Sequence, residues 1–462
     1  MKFERKLKFA IASISALIAY FLVPFLESTM RATFSLLIFA SVLWITETLP
    51  LGITAFIIAL AQPLLGIQPF KEALEPFFDP IIALFFGVLL LAMAFEKHDL
   101  DEVLASYVVE RLGNNARTLV LGMMFIAAFL AMWMTITATA ALMIPLVLKL
   151  KLESRNNTDV ENFSKITILG MAYSASAGAI ASLIGTPPNL IAAGTLQRMV
   201  NYNLTFLKWS FYGVPITIIL IFSIWALLFK IFPIKQKIVQ KPVKREITSL
   251  NIRQKLTLAI FIISVFLWIT RSIPDPIATA IGWSGHGISE SMVAILAAIM
   301  LFLLGLLGQN DISKVDWNTL LLFGGGLSLG SAMQVSGLAN WIGQNMATLV
   351  GGESQIAIFF ILGFSTLIFT IIASNTACAN IFVPISISVG LAVGANPVVL
   401  AVFTAIVSTL DFTLPIGTPA NAIAYSTGKI KMKEMVKAGL LLDIIGVLIA
   451  IFFGLTIWNL IP

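Results

Sequence analysis

The sequence has 462 residues, of which 58% are hydrophobic and 11% are charged, and its mean hydropathy is +0.97. This composition excludes a water-soluble globular protein, because no folded core of this size can hide so much apolar surface from water. The formal charge of +6 is compatible with a nucleic-acid partner, but membrane topology accounts for most of the basic residues and argues against one. The single cysteine, Cys378, excludes an internal disulfide.

Apolar runs long enough to span a membrane recur along the whole chain. Hydrocarbon cannot satisfy exposed backbone polar groups, so these runs are expected to form helices. The sequence therefore predicts an all-α polytopic membrane protein with about 11 transmembrane helices and two re-entrant hairpins. Examples in chain order are Phe9 to Phe25, Ile81 to Phe95, Ile216 to Phe229, Met292 to Leu307 and Leu440 to Trp458.

The distribution of basic residues predicts the orientation of these helices. With the N-terminus in the cytoplasm, most basic loops fall on the cytoplasmic side, as the positive-inside rule requires. The C-terminus is then expected outside the cell, and the chain is expected to lie among the lipids of the plasma membrane. Only five of the 29 basic residues fall outside, namely Arg31, Lys71, Arg198, Lys208 and Arg271.

Two motifs occur twice, in the same order, on either side of a polar segment near the midpoint. TITATAALMIP at Thr135 to Pro145 and GTPPNLIAAGT at Gly185 to Thr195 are matched by SNTACANIFVP at Ser374 to Pro384 and GTPANAIAYST at Gly417 to Thr427. The copies are about 239 and 232 residues apart. Because an odd number of crossings separates each motif from its copy, we expect two inverted-topology repeats, an arrangement typical of secondary transporters.

Each half is predicted to contain spanning helices, one hairpin and one broken helix. The polar triplets lie at the hairpin tips, and proline interrupts the following helix because it lacks an amide hydrogen and restricts its predecessor. The predicted divisions are a first repeat over 1–231 with hairpin 117–150 and broken helix 165–200, a cytoplasmic linker over 232–254, and a second repeat over 255–462 with hairpin 356–392 and broken helix 398–427.

Hairpin tips and helix breaks leave backbone amides and carbonyls unpaired, so they are expected to line a wet cavity. Helix N-termini present amide hydrogens and positive partial charge, so two facing N-termini could hold a dianion without arginine. Carbonyl oxygens at the same tips suit sodium. One such motif alone is more often a packing feature, but two copies at matched spacing favour a binding site. Hydroxyl donors are available at Thr137, Thr186, Thr376 and Thr418.

Five stretches of the sequence are typical of one transporter family. They are WITETLP at Trp44, GTPPN at Gly185, VDWNTLLLFGGGLSL at Val315, SNT at Ser374 and LPIGTPAN at Leu414. Over nearly its whole length the chain resembles the divalent anion:sodium symporter family, which contains the sodium-coupled dicarboxylate and citrate carriers. The resemblance implies a homodimer in which a transport domain moves against a scaffold domain in an elevator-type motion. It implies no organic cofactor, and sodium or a proton as the coupled ion.

The resemblance also implies roles for individual residues. Both triplets are expected to contact substrate carboxylates, while flanking oxygens bind sodium. A second-half sodium site would contain Thr370, Ser374, Asn375 and Gly417. The implied substrate contacts are Thr135, Thr137, Gly185, Thr186, Pro187, Ser374, Asn375, Thr376, Thr418 and Pro419.

The first half departs from the family pattern. Thr135, Ile136 and Thr137 stand where the family has Ser, Asn and Thr, and Ala131 stands where a serine is usual. Isoleucine offers neither a donor nor an acceptor. We therefore expect reduced coupling to sodium. The transporter would then use fewer sodium ions per cycle, use protons, or exchange one anion for another.

Asp411 is an acid six residues before the second break, opposite Ala179 when the two halves are aligned. Buried acids are costly in a membrane and usually have a function. Two interpretations stay open on sequence grounds. Asp411 is either a proton carrier or an extra cation ligand, or it is an acid hydrogen-bonded to the neighbouring backbone.

The sequence predicts a secondary transporter of C4 dicarboxylates such as succinate, malate and fumarate, working by cation coupling or by exchange. A carrier of citrate, sulfate, phosphate or arsenite is the nearest alternative, because helix ends and threonines distinguish these anions poorly. An ion channel would need a continuous polar pore. An enzyme is not expected, since the sequence has no HExxH or GxSxG motif and no clustered histidines.

Overall fold

The structure of the protein is a computed structural model that describes residues 2–236, 238–240, 250–273, 275–349 and 355–461. Helices form nearly all of the regular structure in these residues, which confirms the all-α fold class. The predicted linker 232–254 lies partly outside them, at 237 and 241–249.

Eleven α-helices form the first half of the chain within the described residues. A 3-10 helix, Glu75–Phe78, stands between the fourth and the fifth. The helices are α1 (Lys2–Leu22), α2 (Ser28–Thr46), α3 (Leu51–Leu64), α4 (Phe70–Leu74), α5 (Pro80–Lys97), α6 (Leu100–Arg111), α7 (Ala116–Ala131), α8 (Ile136–Leu148), α9 (Asn157–Ile180), α10 (Pro187–Val200) and α11 (Phe206–Ile231).

Eleven more α-helices follow in the described part of the second half. A short antiparallel pair of strands, β1 (Lys151–Leu152) and β2 (Val239–Gln240), ties the linker to the first half, with Lys151 opposite Gln240. The helices are α12 (Ile252–Thr270), α13 (Asp275–Ile281), α14 (Glu290–Leu303), α15 (Gln309–Ile312), α16 (Trp317–Val335), α17 (Leu338–Leu349), α18 (Gln355–Ile372), α19 (Asn375–Val393), α20 (Pro397–Thr409), α21 (Pro419–Ser426) and α22 (Met432–Leu455).

Seven helical segments in the described residues are long and apolar enough to cross a membrane, and α16 with α17, bent by 76°, would make an eighth. Five shorter apolar helices accompany them, among them α7, α8 and α20. The number of long spans is below the expected 11, because the tips and breaks divide several apolar segments. The seven are Ser28–Thr46, Phe70–Lys97, Phe206–Ile231, Ile252–Thr270, Gln355–Ile372, Asn375–Val393 and Met432–Leu460.

Large apolar side chains cover much of the outer surface of the described residues. Phe21 is 71% exposed, Leu303 is 74% exposed and Phe78 is 82% exposed. In water each Å² of such surface would cost about 25 cal/mol, whereas lipid tails solvate it. The surface is therefore that of a multi-pass membrane protein.

A helix, a tip and a second helix occur in both halves. In the first half α7 is followed by the tip at 132–135 and then by α8; in the second half α18 is followed by the tip at 373–374 and then by α19. A broken helix comes next in each half, α9 with α10 and α20 with α21. Pro187 and Pro419 begin the second helix of each break, where a missing amide hydrogen costs nothing and the fixed φ angle suits the first turn.

Candidate functional site: a cavity among four helix N-termini

A cavity of about 270 Å³ lies where both tips and both breaks meet. Every residue proposed from the sequence as a substrate contact lines it, whereas Thr370 and Asp411 lie behind its wall. The structure therefore brings the two motif copies together in space. The lining residues are Phe85, Val88, Leu89, Ala92, Trp133, Met134, Thr135, Ile136, Thr137, Ile184, Gly185, Thr186, Pro187, Asp316, Thr319, Ser374, Asn375, Thr376, Gly417, Thr418 and Pro419.

Five helices begin at this cavity; Asp316 caps α16, and a hydroxyl residue caps each of the other four. The N-caps are Thr135 for α8, Thr186 for α10, Ser374 for α19 and Thr418 for α21. The first amides of a helix lack carbonyl partners within the helix, and the N-terminus carries about half a positive charge. The four hydroxyl-capped ends direct positive partial charge of the backbone into the cavity, while the Asp316 carboxylate is a negative group in the same lining.

Two of the caps use their hydroxyls within their own helix. Thr135 Oγ1 accepts a hydrogen bond from the Ala138 amide at 3.1 Å, and Thr418 Oγ1 accepts one from the Asn421 amide at 3.2 Å. Among the described residues, Thr186 and Ser374 make no such side-chain capping bond. The hydroxyls of these two residues are therefore available to a ligand in the cavity.

None of the described residues lining the cavity is a lysine, arginine or histidine. Asp316 is the charged residue in the lining, and its Oδ1 and Oδ2 accept hydrogen bonds from the Thr319 amide at 3.1 Å and the Thr319 hydroxyl at 2.5 Å. These bonds begin α16. An anion in the cavity would thus be held by amides and hydroxyls without a basic side chain.

The two breaks are held in the same way. Asn189 Nδ2 donates to the carbonyl oxygens of Ala179 at 3.0 Å and Ser182 at 2.7 Å, which are ten and seven residues earlier. Asn421 Nδ2 donates to the carbonyl oxygens at the same two separations, at 2.9 and 3.0 Å. Both asparagines are fully buried, so these bonds satisfy carbonyls that the interrupted helices leave unpaired.

Asp443 of α22 contacts the second break and has no counterpart described at the first. Its Oδ1 accepts from the Phe412 amide at 2.9 Å, and its Oδ2 accepts from the Thr413 hydroxyl at 2.5 Å. The apolar residues on both sides of Asp443 mark it as an acid inside a membrane helix, but they do not indicate this role. This role depends on a long-range contact between Asp443 and a break in another helix, and local sequence does not reveal such a contact.

The proposed cation ligands of the second half lie close together. The Thr370 hydroxyl is 2.6 Å from the Ser408 carbonyl oxygen and 2.9 Å from Asn375 Oδ1, so it can donate to either. Ser374, Asn375 and Gly417 line the cavity, and Thr370 is directly behind Asn375. Hydroxyl, amide and backbone oxygens of this kind are ligands for a hard monovalent cation.

Asp411 lies directly behind Gly417. Its side chain is 0% exposed, and neither carboxylate oxygen has a hydrogen-bond partner among the described residues. A Cβ placed on Gly417 would be 2.1 Å from Oδ2 and 2.2 Å from Oδ1. The carboxylate therefore packs against the Cα of a residue in the cavity wall, and it makes no bond to the neighbouring backbone.

The corresponding place in the first half is apolar. Ala131, Ala175 and Ala179 are fully buried and form a small cluster, against which Ile136 packs. Gly185 lies against the Ala179 carbonyl oxygen, 2.4 Å from where its Cβ would be. The first half therefore has the shape of the second-half site without its polar side chains.

A second cavity, of about 440 Å³, adjoins the first and shares part of its wall. Its charged lining includes Lys97, which lies 2.6 Å from Asp311, and Lys314, which lies 3.0 Å from the same carboxylate. The hydrogen bond from Lys97 is the largest cause that holds the pKa of Asp311 well below its usual range. We call this charged cavity the vestibule; it adjoins the site at the wall that the two cavities share.

Several lining residues were not proposed from the sequence. An apolar face that lines a cavity has the same hydropathy as one that faces lipid, so α5 offered no signal. The stretch beginning at Val315 was quoted as a family motif, but its polar members were given no role. The missed residues with side chains in the wall include Phe85, Val88, Leu89, Trp133, Asp316 and Thr319.

Comparison with known proteins gives one family over almost the whole chain. The family model for the sodium:sulfate symporter transmembrane region matches residues 5–462. An uncharacterized transporter of Haemophilus influenzae is 36% identical over 442 residues, covering 94% of this chain and 93% of the relative. The sodium-dependent dicarboxylate transporter SdcS of Staphylococcus saprophyticus is 30% identical over 438 residues, covering 89% and 83%.

Two solved structures share the fold. The YdaH transporter of Alcanivorax borkumensis aligns with a TM-score of 0.60 at 14% identity, covering 84% of this chain and 88% of that one. MtrF of Neisseria gonorrhoeae aligns with a TM-score of 0.57 at 12% identity, covering 83% and 82%. At these identities the likeness concerns the fold alone.

Proposed function

This chain belongs to the sodium:sulfate symporter family, and from this premise we propose that it is a secondary active transporter that carries C4 dicarboxylates such as succinate, malate and fumarate together with sodium. The observation that carries the proposal is the meeting of four helix N-termini, from α8, α10, α19 and α21, at one cavity with no basic side chain in its described lining. Opposed N-termini suit a solute with a negative charge at each end.

In this proposal each carboxylate is held at one motif copy. The hydroxyls and first-turn amides of the first half bind one end of the dianion, and those of the second half bind the other. The apolar side chains of α5 and Trp133 face the methylene carbons between them. The proposed contacts are Thr135, Thr137, Gly185, Thr186, Pro187, Ser374, Asn375, Thr376, Thr418 and Pro419.

Sodium is the proposed coupled ion. The SdcS relatives of two staphylococcal species are sodium-dependent dicarboxylate transporters by name, at 30% identity. The second half of this chain offers Thr370, Ser374, Asn375 and Gly417 as ligands, whereas the first half has an alanine cluster in that place. We therefore propose fewer sodium ions per cycle than a carrier with two polar halves would use.

The proposed mechanism is an elevator motion in a homodimer. The hairpins and broken helices of the two inverted repeats move together against the scaffold helices. Arg198 of α10 lies 2.7 Å from Asp79 at the start of α5, at the side that the topology places outside. The vestibule with Lys97 and Lys314 opens at the other side. With the N-terminus in the cytoplasm and the C-terminus outside, this arrangement is the inward-facing one.

The test is uptake by purified protein in liposomes. Labelled succinate should accumulate under an inward sodium gradient and much less under an equal choline gradient, and unlabelled malate and fumarate should compete. Sulfate is the alternative substrate that the family description favours. Competition by sulfate but not by any dicarboxylate, or an uptake independent of sodium, would contradict the proposal.

A further inference from the structure

The two halves differ in polarity at three equivalent positions. Each second-half position carries an oxygen ligand where the first half carries a hydrocarbon side chain, although the surrounding backbone is similar. Hydrocarbon cannot replace the hydration shell of a cation. The pairs are Thr370 and Ala131, Asn375 and Ile136, and Asp411 and Ala179.

Asp411 is the member of these pairs that carries a charge. It is fully buried, and both of its oxygens lack partners among the described residues. An isolated carboxylate costs several kcal/mol in a low-dielectric interior, so a cation or a proton must neutralise it. Two buried carboxylate oxygens without hydrogen-bond donors are both free to act as ligands of a cation.

The groups around Asp411 do not supply that positive charge. Its titratable neighbours on other helices are Asp443 of α22, Tyr173 of α9 and Cys378 of α19. None of these three is basic, and Asp443 already accepts from the second break. The neutralising species must therefore come from solution.

The position of the carboxylate connects it to the proposed cation site. It touches the Cα of Gly417, and Gly417 lines the cavity together with Ser374 and Asn375. Thr370 is bonded to Asn375 on the same side of the wall. A cation held by these backbone and side-chain oxygens would lie near a full negative charge, which favours its transfer from water into the site.

We propose that Asp411 is an anionic ligand of a sodium site in the second half, and that the alanine-filled first half binds no cation. The inference rests on the proposed function for the statement that sodium travels with the substrate. The binding of sodium itself is independent of which anion is carried. Because the Asp411 carboxylate neutralises the charge of the sodium ion, the site binds sodium before the dianion arrives. The positive partial charges of the helix N-termini are then left to neutralise the substrate.

The experiment measures sodium binding without substrate. The thermal transition of the purified full chain in detergent is followed as sodium replaces potassium at constant ionic strength. We expect the wild type to be stabilised with a saturating dependence on sodium. Asp411→Asn should raise the half-saturating sodium concentration by roughly tenfold or more, which corresponds to one lost charged ligand.

Two further variants keep the result interpretable. Asp159→Asn changes another buried acid, one that accepts from the Lys235 and Gln236 amides and lies outside the cavity lining; it should leave the half-saturating sodium concentration unchanged. Asp411→Ala, which places at this position the residue of the first half, should show the same loss as Asp411→Asn. If Asp411→Asn does not fold, Asp411→Ala decides the question.

Three results would overturn the inference. They are an unchanged half-saturating concentration in the Asp411 variants, a wild type that transports dicarboxylate but is not stabilised by sodium, and a variant that keeps its sodium affinity while its uptake loses its response to pH. The last would assign the carboxylate to a proton. Sodium binding that needs Asp411, without dicarboxylate uptake, would contradict the proposed function and leave this inference standing.

Discussion

Gly417 and Asp411 are in direct contact: a Cβ at residue 417 would lie 2.1 Å from one oxygen of the carboxylate. Because the carboxylate belongs to a side chain, a substitution such as Asp411→Ala can remove it. In the first half the atom that faces Gly185 is the backbone carbonyl oxygen of Ala179, which no substitution removes. Similar breaks therefore differ in how they should respond to an added methyl group.

We expect Gly417→Ala to reduce sodium-dependent succinate uptake by about tenfold or more, since overpacking of this kind costs about 1–3 kcal/mol. The double variant with Asp411→Ala should recover the thermal stability of the Asp411→Ala protein, because the clash is removed. Gly185→Ala should show no comparable recovery with any change at Ala179. Thermal unfolding of these variants and of the wild type measures the difference. Equal stability of Gly417→Ala and wild type would contradict the packing described.

The break at the second half should depend on Asn421. Replacing Asn421 by alanine removes two buried hydrogen bonds and leaves two carbonyls unpaired, at a cost of about 2–4 kcal/mol. Asn189→Ala should cost a similar amount in the first half. Asn345→Ala, at an exposed position, is the control and should change little. A thermal transition that is insensitive to both buried asparagines would argue against their bracing role.

Restoring polar ligands to the first half should add a cation. The double change Ala131→Ser and Ile136→Asn replaces hydrocarbon with oxygen ligands at two positions of the alanine cluster. We expect the Hill coefficient for sodium in succinate uptake to rise from about one towards two. Ala131→Ser alone should leave it near one, because Ile136 still fills the place. A wild-type coefficient near two would contradict a single second-half site.

The ion pair of Arg198 with Asp79 should favour the inward-facing arrangement. Both side chains are partly exposed, so breaking the pair is worth only about 1 kcal/mol, a few-fold change in population. A cysteine placed at Ala138 in the vestibule should then react more slowly with a thiol reagent from the cytoplasmic side in Arg198→Ala. Lys208→Ala is the control for loss of an outer basic residue. Faster labelling in Arg198→Ala would contradict the assignment.

The sequence was informative at the residues that begin or interrupt a helix. Thr135, Ser374, Pro187 and Pro419 carry local signals, since hydroxyl residues cap helices and proline begins them, and the structure places helix starts at all four. The all-α membrane fold followed from apolar length. The number of long spans did not follow from apolar length. Tips and breaks shorten the helices, and hydropathy does not show where they lie.

What the sequence could not predict depends on contacts between distant elements. The role of Asp443 requires knowing that α22 passes the break at Phe412. The wall from α5 requires knowing which apolar face of a helix is turned inward. The alanine cluster around Ala175 is invisible as a pattern, because alanine is common in membrane helices.

The most direct test of the account is to locate bound succinate in a cryo-EM map of the protein in sodium. We expect the dianion among the N-termini of α8, α10, α19 and α21, with its carboxylates near Thr137 and Thr376 and no basic side chain in contact. Succinate bound against Lys97 and Lys314 in the vestibule, with the cavity among the helix starts empty, would contradict it.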